Sequence, residues 1–476
     1  PSKMVYIAID GVAPVAKMKQ QRMRRFKAVQ DRHELDRIDS KHKCYQPSKY
    51  DFNMISPGTQ FMLELTEHLK QHIEKILCPK YPYLNIILDD AENPGEGEHK
   101  ITHHLRNNVA ADDSVVVYGL DSDLIFLCLL NYRKQFCLFR EKIFFDHGDH
   151  PPDQYTFLDV NEFRKILLSI MTPSLNREDL DGWGILNTER NRALNQAELV
   201  DIDSLNKEKK SIDKNQSTDD FDDYEEDESK TILEKNRDLD LEKFRTNLEL
   251  SKDIEDNLIL DYTALCFILG NDFLPHLPSL KIKEGGLNRA IECYKSTQEN
   301  LPNKYLVNQQ EFDLEFLTEF INRIADYEEV DMIKCTEASQ LRRAKFRNGY
   351  RLRGLTPRDK EVQMWEYVEN QYRDKLRLGQ PDWKDRYYQY YLGPDYQPNL
   401  DHMIKDYFYG LNWTLKYYQG YQSKETNHMH SSCPDWIWKY DYLVAPAASD
   451  MIKALKNGLD VNKIKLDHEK RSQPLI

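Results

Sequence analysis

Short apolar runs that close on carboxylates alternate with helical patterns through the first third of the chain. "MVYIAID", "YLNIILDD" and "SVVVYGLDSDL" are rich in β-branched and apolar residues, and each leads into acids. Between the first two, "TQFMLELTEHLKQHIEKIL" repeats its apolar positions every three or four residues, which predicts a helix. That alternation predicts an α/β fold with a mostly parallel sheet, whose sites gather outside the carboxyl ends of its strands. Farther along, the pattern is helical. From Asp401 to Gln419, the residues Ile404, Phe408, Leu411, Leu415 and Tyr418 make one apolar stripe, and Tyr409, Trp413 and Tyr417 lie opposite at spacings of four. Such a helix has two sides to satisfy, either by burial between two layers or by stacking its aromatic side on nucleobases.

Composition narrows the class. With 476 residues, 40% hydrophobic and 31% charged, the chain can bury a sizeable core spread over two or three domains. No run of about 18 apolar residues is present, so no membrane association is expected. The eight cysteines form no CxxC pair, a usage that points to reduced thiols in an intracellular compartment. The formal charge is −14, and residues 201–230 contribute twelve acids against five bases without an apolar period. That segment reads as a flexible insertion, a solvated loop with protein docking as its functional alternative. A basic stretch, "LRRAKFRNGYRLRGLTPRDK", precedes the aromatic-rich C-terminal part.

The strand ends deliver Asp10, the pair Asp89 and Asp90, and the pair Asp121 and Asp123 to one edge. In "NPGEGEHK", Glu96 and Glu98 are two apart, with Gly95 and Gly97 allowing a tight turn into a helix, and "FILGNDFLPHLPSL" sets Asp272 between a helical run and a Pro-broken turn. Asp10, Glu96, Glu98, Asp121, Asp123 and Asp272 are therefore candidates to meet in space. Together they would repel one another, and a hard divalent cation such as Mg²⁺ or Mn²⁺ would compensate them. A local excess of the opposite sign lies close by, because Pro14 to Gln30 holds six bases and no acid. On a helical wheel Lys17, Gln21, Arg24 and Arg25 share an arc of about 100°, and Val15, Met18, Phe26 and Val29 occupy the neighbouring apolar arc. One arc is expected to pack and the other to face an anion. "HMHSSC" (His428, His430, Cys433) supplies three ligands, one short of a closed zinc site.

"YIAIDGVAPVAKMKQQRMRRF", "NPGEGEHKI", "YGLDSDLIFL", "LGNDFLPHLPSL", "YGLNWTLKYY" and "CPDWIWKYDYLVAP" closely resemble, in the right order, the XRN family of 5′→3′ exoribonucleases. The resemblance implies a PIN-like, flap-endonuclease-like α/β nuclease core joined to a mainly helical second conserved region. It divides the chain into a core over 1–180, the acidic insertion 181–250, a helical remainder of the core over 251–340, a basic linker 341–385 and the second conserved region 386–476. It further implies processive hydrolysis of 5′-monophosphorylated single-stranded RNA to mononucleotides. By this resemblance the six acids hold two divalent ions, Lys17, Gln21, Arg24 and Arg25 bind the 5′-phosphate, and Trp413 stacks on the terminal base. XRN proteins begin with a further segment carrying a first strand, another metal-site Asp and a His that partners the stacking Trp, and this chain starts after it. Two other readings stay open: a structure-specific DNA flap nuclease on the same core, and an RNA-binding scaffold with an incomplete catalytic set.

Overall fold

β1 (Met4–Ala8) and β2 (Asn85–Asp89) pair in parallel, in register from Met4 opposite Asn85 to Ala8 opposite Asp89. The Ile9 amide continues the ladder to the Asp89 carbonyl at 2.9 Å, so both strands release their chains at one level, beside Asp10. β3 (Ser114–Tyr118) pairs in parallel with β4 (Gln135–Glu141), and β5 (Tyr155–Asp159) adds to β4 in the antiparallel sense. The parallel pairing expected from the sequence is thus present, but as two short sheets, because no strand among the described residues bridges β2 and β3. This is a computed structural model, and it describes residues 3–45, 52–142, 154–172, 251–347 (side chains to 341), 356–365, 376–420 and 433–466. The acidic segment 201–230, residues 348–355 of the basic stretch, and His428 and His430 lie outside the described residues.

Helices follow the strands as the alternation predicts. α1 (Val15–Lys41) leaves the β1 loop. α2 (Gln60–His72) starts where the Thr59 hydroxyl accepts from the Met62 amide. α3 (Gly97–Asn108) and α4 (Asp123–Leu129) begin just beyond the ends of β2 and β3, and α5 (Val160–Met171) follows β5. The remainder is mainly helical: α6 (Lys252–Phe267), α7 (Gly286–Asn300), the short hairpin β6 (Val307–Asn308) and β7 (Glu311–Phe312), α8 (Leu314–Arg347), α9 (Pro357–Met364), α10 (Trp383–Leu392), α11 (Gln397–Gln419) and α12 (Ala448–Lys456). One compact unit comprises Pro1–Arg164 with Ile259–Ile476 and contains every candidate site residue. The second, Lys165–Leu258, is described only at its two ends, in parts of α5 and α6.

Two elements decide how the site is held. α11 is covered on both sides, since Ile404, Phe408, Leu411 and Leu415 are buried and so are Trp413 and Tyr417. The two-layer reading of this helix is the one the structure adopts. α1 departs from its pattern, because Phe26 and Val29 of its apolar arc are exposed, at 68% and 45%. The helix is held at its ends instead. The Val15 amide bonds the Trp436 carbonyl at 3.0 Å, and Lys19 reaches the carbonyls of Tyr440 and Tyr442. At the far end Arg358 meets Asp39 at 2.6 Å, and Glu361 meets Lys41 and His42 at 2.8 Å. A buried acid ties the helical remainder together. Asp261 on α6 accepts from the Tyr294 hydroxyl on α7 at 2.6 Å and from the amides of Leu306 and Val307 at 2.8 Å. No helix among the described residues is long and apolar enough to cross a membrane.

Candidate metal and phosphate site

Asp10 leaves the end of β1 and accepts from the Gly97 amide at 2.6 Å, at the first residue of α3. An acid at a helix N-terminus meets unpaired amides and the positive end of the helix dipole. The approach is close, because a Cβ on Gly97 would stand 3.1 Å from the Asp10 carboxylate oxygen and the carboxylate would have to shift by a few tenths of an ångström. Two backbone bonds zip the neighbouring loops together, Gly11 amide to Gly95 carbonyl at 2.9 Å and Gly95 amide to Val12 carbonyl at 2.8 Å. A Cβ on Gly11 would lie 1.8 Å from the Asn93 carbonyl oxygen. Gly11→Ala is therefore expected to push the loops apart and cost about 1–3 kcal/mol, measured by urea denaturation; unchanged stability would show that the loops yield freely.

Asp89 and Asp90, which also end a strand, are already engaged. Tyr6 donates to Asp89 at 2.5 Å, and the Lys100 ammonium meets Asp89 at 3.2 Å and the carbonyls of Ile9 and Asp90 at 2.8 and 2.7 Å. Lys70 pairs with Asp90 at 2.7 Å. Asp121 and Asp123 stand at the start of α4, where the Asp123 amide donates to the Asp121 carboxylate at 3.2 Å. Asp272 is presented by a tight turn, with Gly270 at φ +94° and the Asn271 side chain accepting from the amides of Phe273 and Leu274 at 2.9 Å.

α1 supplies the opposing charge. The Lys17 ammonium lies between Glu96 and Asp272, at 2.5 Å from each, with its side chain only 7% exposed. Gln20 donates to Asp272 at 2.5 Å and Arg24 at 3.2 Å, whereas Arg25 reaches the Ser56 hydroxyl. Of the four donors expected on this face, Lys17 and Arg24 meet the acids and Arg25 turns to Ser56. Gln20, which lies outside that set, makes the amide contact with Asp272.

The acids interact electrostatically as one group. Burial pushes Glu98 up to about 8, helped by the charges of Glu96 and Asp10, and pushes Glu96 up to about 7 against the pull of Lys17 and Tyr417. Burial also lifts Asp123 to about 6, with Asp272 and Asp121 adding to the shift and the Tyr418 hydroxyl opposing it. Burial disfavours the Lys17 charge, but Glu96 and Asp272 outweigh it and hold the ammonium protonated beyond its ordinary range. Among the described residues no three His, Cys, Asp or Glu side chains stand in a ready metal-binding arrangement. The donor set nevertheless fits a hard divalent cation. It is all oxygen, and a side-chain cation already sits between two of its members.

Comparison with known proteins places the chain in a family. The profile described as "XRN 5'-3' exonuclease N-terminus" matches residues 1–142, and that described as "Xrn1 helical domain" matches 251–364 and 347–475. The chain belongs to the XRN family. XRN relatives include 5'-3' exoribonuclease 2 of Arabidopsis thaliana, 31% identical over 73% of this chain and 32% of that protein. The 5'-3' exoribonuclease 2 homolog of Drosophila melanogaster is 26% identical over 95% of this chain and 51% of its own length. The 5'-3' exoribonuclease 1 of Homo sapiens is 27% identical over 97% of this chain and 25% of its own. The chain thus spans a quarter to a half of the length of these XRN relatives.

Within this XRN chain, the aromatic expected to stack on a base is a core side chain. Trp413 is 2% exposed, and its indole N–H donates to the Asp435 carbonyl at 2.9 Å. Its ring packs against Tyr417 at 4.8 Å, Phe273 at 4.9 Å and Trp438 at 5.0 Å, so neither face is open to a nucleobase in this structure. Its neighbours in the helix reach the acids instead, Tyr417 to Glu96 and Tyr418 to Asp123. The spacing of four that picked out Tyr409, Trp413 and Tyr417 is a signal of their shared side, and it carries no information about which of them ends on a carboxylate.

Proposed function

We propose that this chain carries the nuclease site of a 5′→3′ exoribonuclease that hydrolyses 5′-monophosphorylated single-stranded RNA processively to mononucleotides. The observation that carries the proposal is the meeting of the α1 donors with the acids of two separate loops at Lys17, which touches Glu96 and Asp272 together. Asp10, Glu96, Glu98, Asp121, Asp123 and Asp272 would hold two divalent ions, Mg²⁺ or Mn²⁺. When bound, such ions supply an activated water and charge neutralisation for the entering and leaving oxygens of an in-line displacement. The chain's own residues bind and orient the substrate. Lys17, Gln21, Arg24 and Arg25 would offer a terminal phosphate an ammonium, an amide and two guanidinium forks, donor types suited to a dianion. Gln20, from its contact with Asp272, fixes the acid that faces these donors.

Arg24 provides the test, because its side chain is 66% exposed and its loss leaves no buried partner unpaired. The full protein is expected to degrade 5′-monophosphate RNA faster than 5′-hydroxyl RNA, and Arg24→Ala should narrow that ratio by about ten- to a hundredfold, the worth of one hydrogen bond to a charged group. A generic basic surface would bind both ends alike, with affinity set by salt and length. Equal rates on the two ends in the wild-type protein, or the same ratio in the variant, would overturn the phosphate pocket.

A further inference from the structure

Two consecutive tyrosines near the end of α11 reach into the acids of the nuclease core. The Tyr417 hydroxyl donates to Glu96 Oε1 at 3.0 Å, and the Tyr418 hydroxyl donates to Asp123 Oδ2 at 2.7 Å. Neighbouring residues on a helix point about 100° apart, so one helix end can address two acids that belong to different loops. The two acids belong to different loops, Glu96 immediately before α3 and Asp123 at the first residue of α4.

Both rings are immobilised. Tyr417 stacks between His99 at 3.8 Å and Trp413 at 4.8 Å, with Phe273 edge-on at 5.7 Å. Tyr418 packs on Phe267 at 5.1 Å and stands edge-on to His99 at 5.6 Å. Each is 1% exposed. The backbone is tied as well, since Arg106 of α3 donates to the Tyr418 carbonyl at 2.7 Å. A hydroxyl on a ring that cannot turn fixes the carboxylate it bonds, and groups behind a metal's ligands commonly set ligand orientation in this way. Glu96 is then held from two sides, Oε1 by Tyr417 and Oε2 by Lys17.

We propose that Tyr417 and Tyr418 are positioning residues, through whose hydroxyls the helical region aims Glu96 and Asp123 at the divalent-cation site. The inference rests on the metal-site reading above. Docking of α11 against α3 and α4 then becomes part of assembling the nuclease site.

Tyr417→Phe and Tyr418→Phe in the full protein remove the hydroxyls and keep the rings. Tyr407→Phe is the control, because this buried tyrosine of the same helix donates to the Pro275 carbonyl at 3.0 Å and touches no carboxylate. Titration calorimetry with Mn²⁺ alone is expected to show about tenfold weaker binding for each of the first two and unchanged binding for the control. RNA turnover should lose kcat with KM held. Mn²⁺ affinity within about twofold of wild type in both variants would overturn the inference, as would an equal loss in the Tyr407→Phe control. If Tyr417→Phe fails to fold, Tyr418→Phe alone carries the comparison. A wild-type protein that binds no Mn²⁺ would sink the metal-site reading, and this inference with it. A wild type that binds Mn²⁺ while both variants match it would sink only the role of the tyrosines.

Discussion

RNA hydrolysis by the full protein is expected to fall by more than about a hundredfold in Asp123→Asn, beyond the ten- to a hundredfold usual for a residue behind the metal ligands. Asp123 stands at the start of α4 with its amide bonded to Asp121 and its carboxylate to Tyr418. Asparagine keeps the volume and one acceptor oxygen, so the fold should survive while the charge is lost. The α1 donors that would grip the phosphate are untouched, and RNA binding should stay close to wild type. Asp121→Ala is expected to behave alike, since its carboxylate accepts the Asp123 amide and belongs to the same charged group. Single-turnover decay of 5′-monophosphate RNA in Mg²⁺, beside a filter-binding measurement, reads both quantities. Turnover within about tenfold of wild type in both variants would remove these acids from the proposed ligand set.

Asp261→Ala is expected to cost stability, by at least about 3 kcal/mol, because it strands the Tyr294 hydroxyl and the amides of Leu306 and Val307 in a site closed to water. Those donors belong to α7 and to the chain entering β6, so the loss should loosen α6 from both. The pH dependence has a definite sign. Burial lifts Asp261 from its ordinary 3.8 to about 7, with the three donors opposing the shift, so the folded chain holds this proton more tightly than the unfolded chain. Its contribution to stability is therefore greatest below 3.8 and declines as pH rises through about 7. Asp261→Asn should flatten that decline. Urea midpoints for wild type and Asp261→Asn across this window check it, and an identical slope in the two proteins would show that another group titrates there.

Local patterns along the chain were enough to name β1, β2, β3 and α2, because alternation, β-branching and helical spacing are set by near neighbours. They were also enough to single out the six acids, whose places at strand ends and glycine turns are local features. The basic run from Pro14 to Gln30 pointed to the face that meets them. Tertiary structure decided the rest. Gln20, which the helical wheel did not single out, meets Asp272, because the angle at which α1 docks is fixed by contacts at its ends with the Trp436 carbonyl and with Arg358. Phe26 and Val29 remain exposed for the same reason, since a helix held at its ends need not bury its middle. Trp413 and Tyr417 share a side of α11, yet the indole ends in the core and the phenol ends on Glu96, a partner 321 positions away. Periodicity identifies the side of a helix that is covered, but the chemistry of what covers it comes from chain distant in sequence, and that is settled only when the helical region packs against the nuclease core.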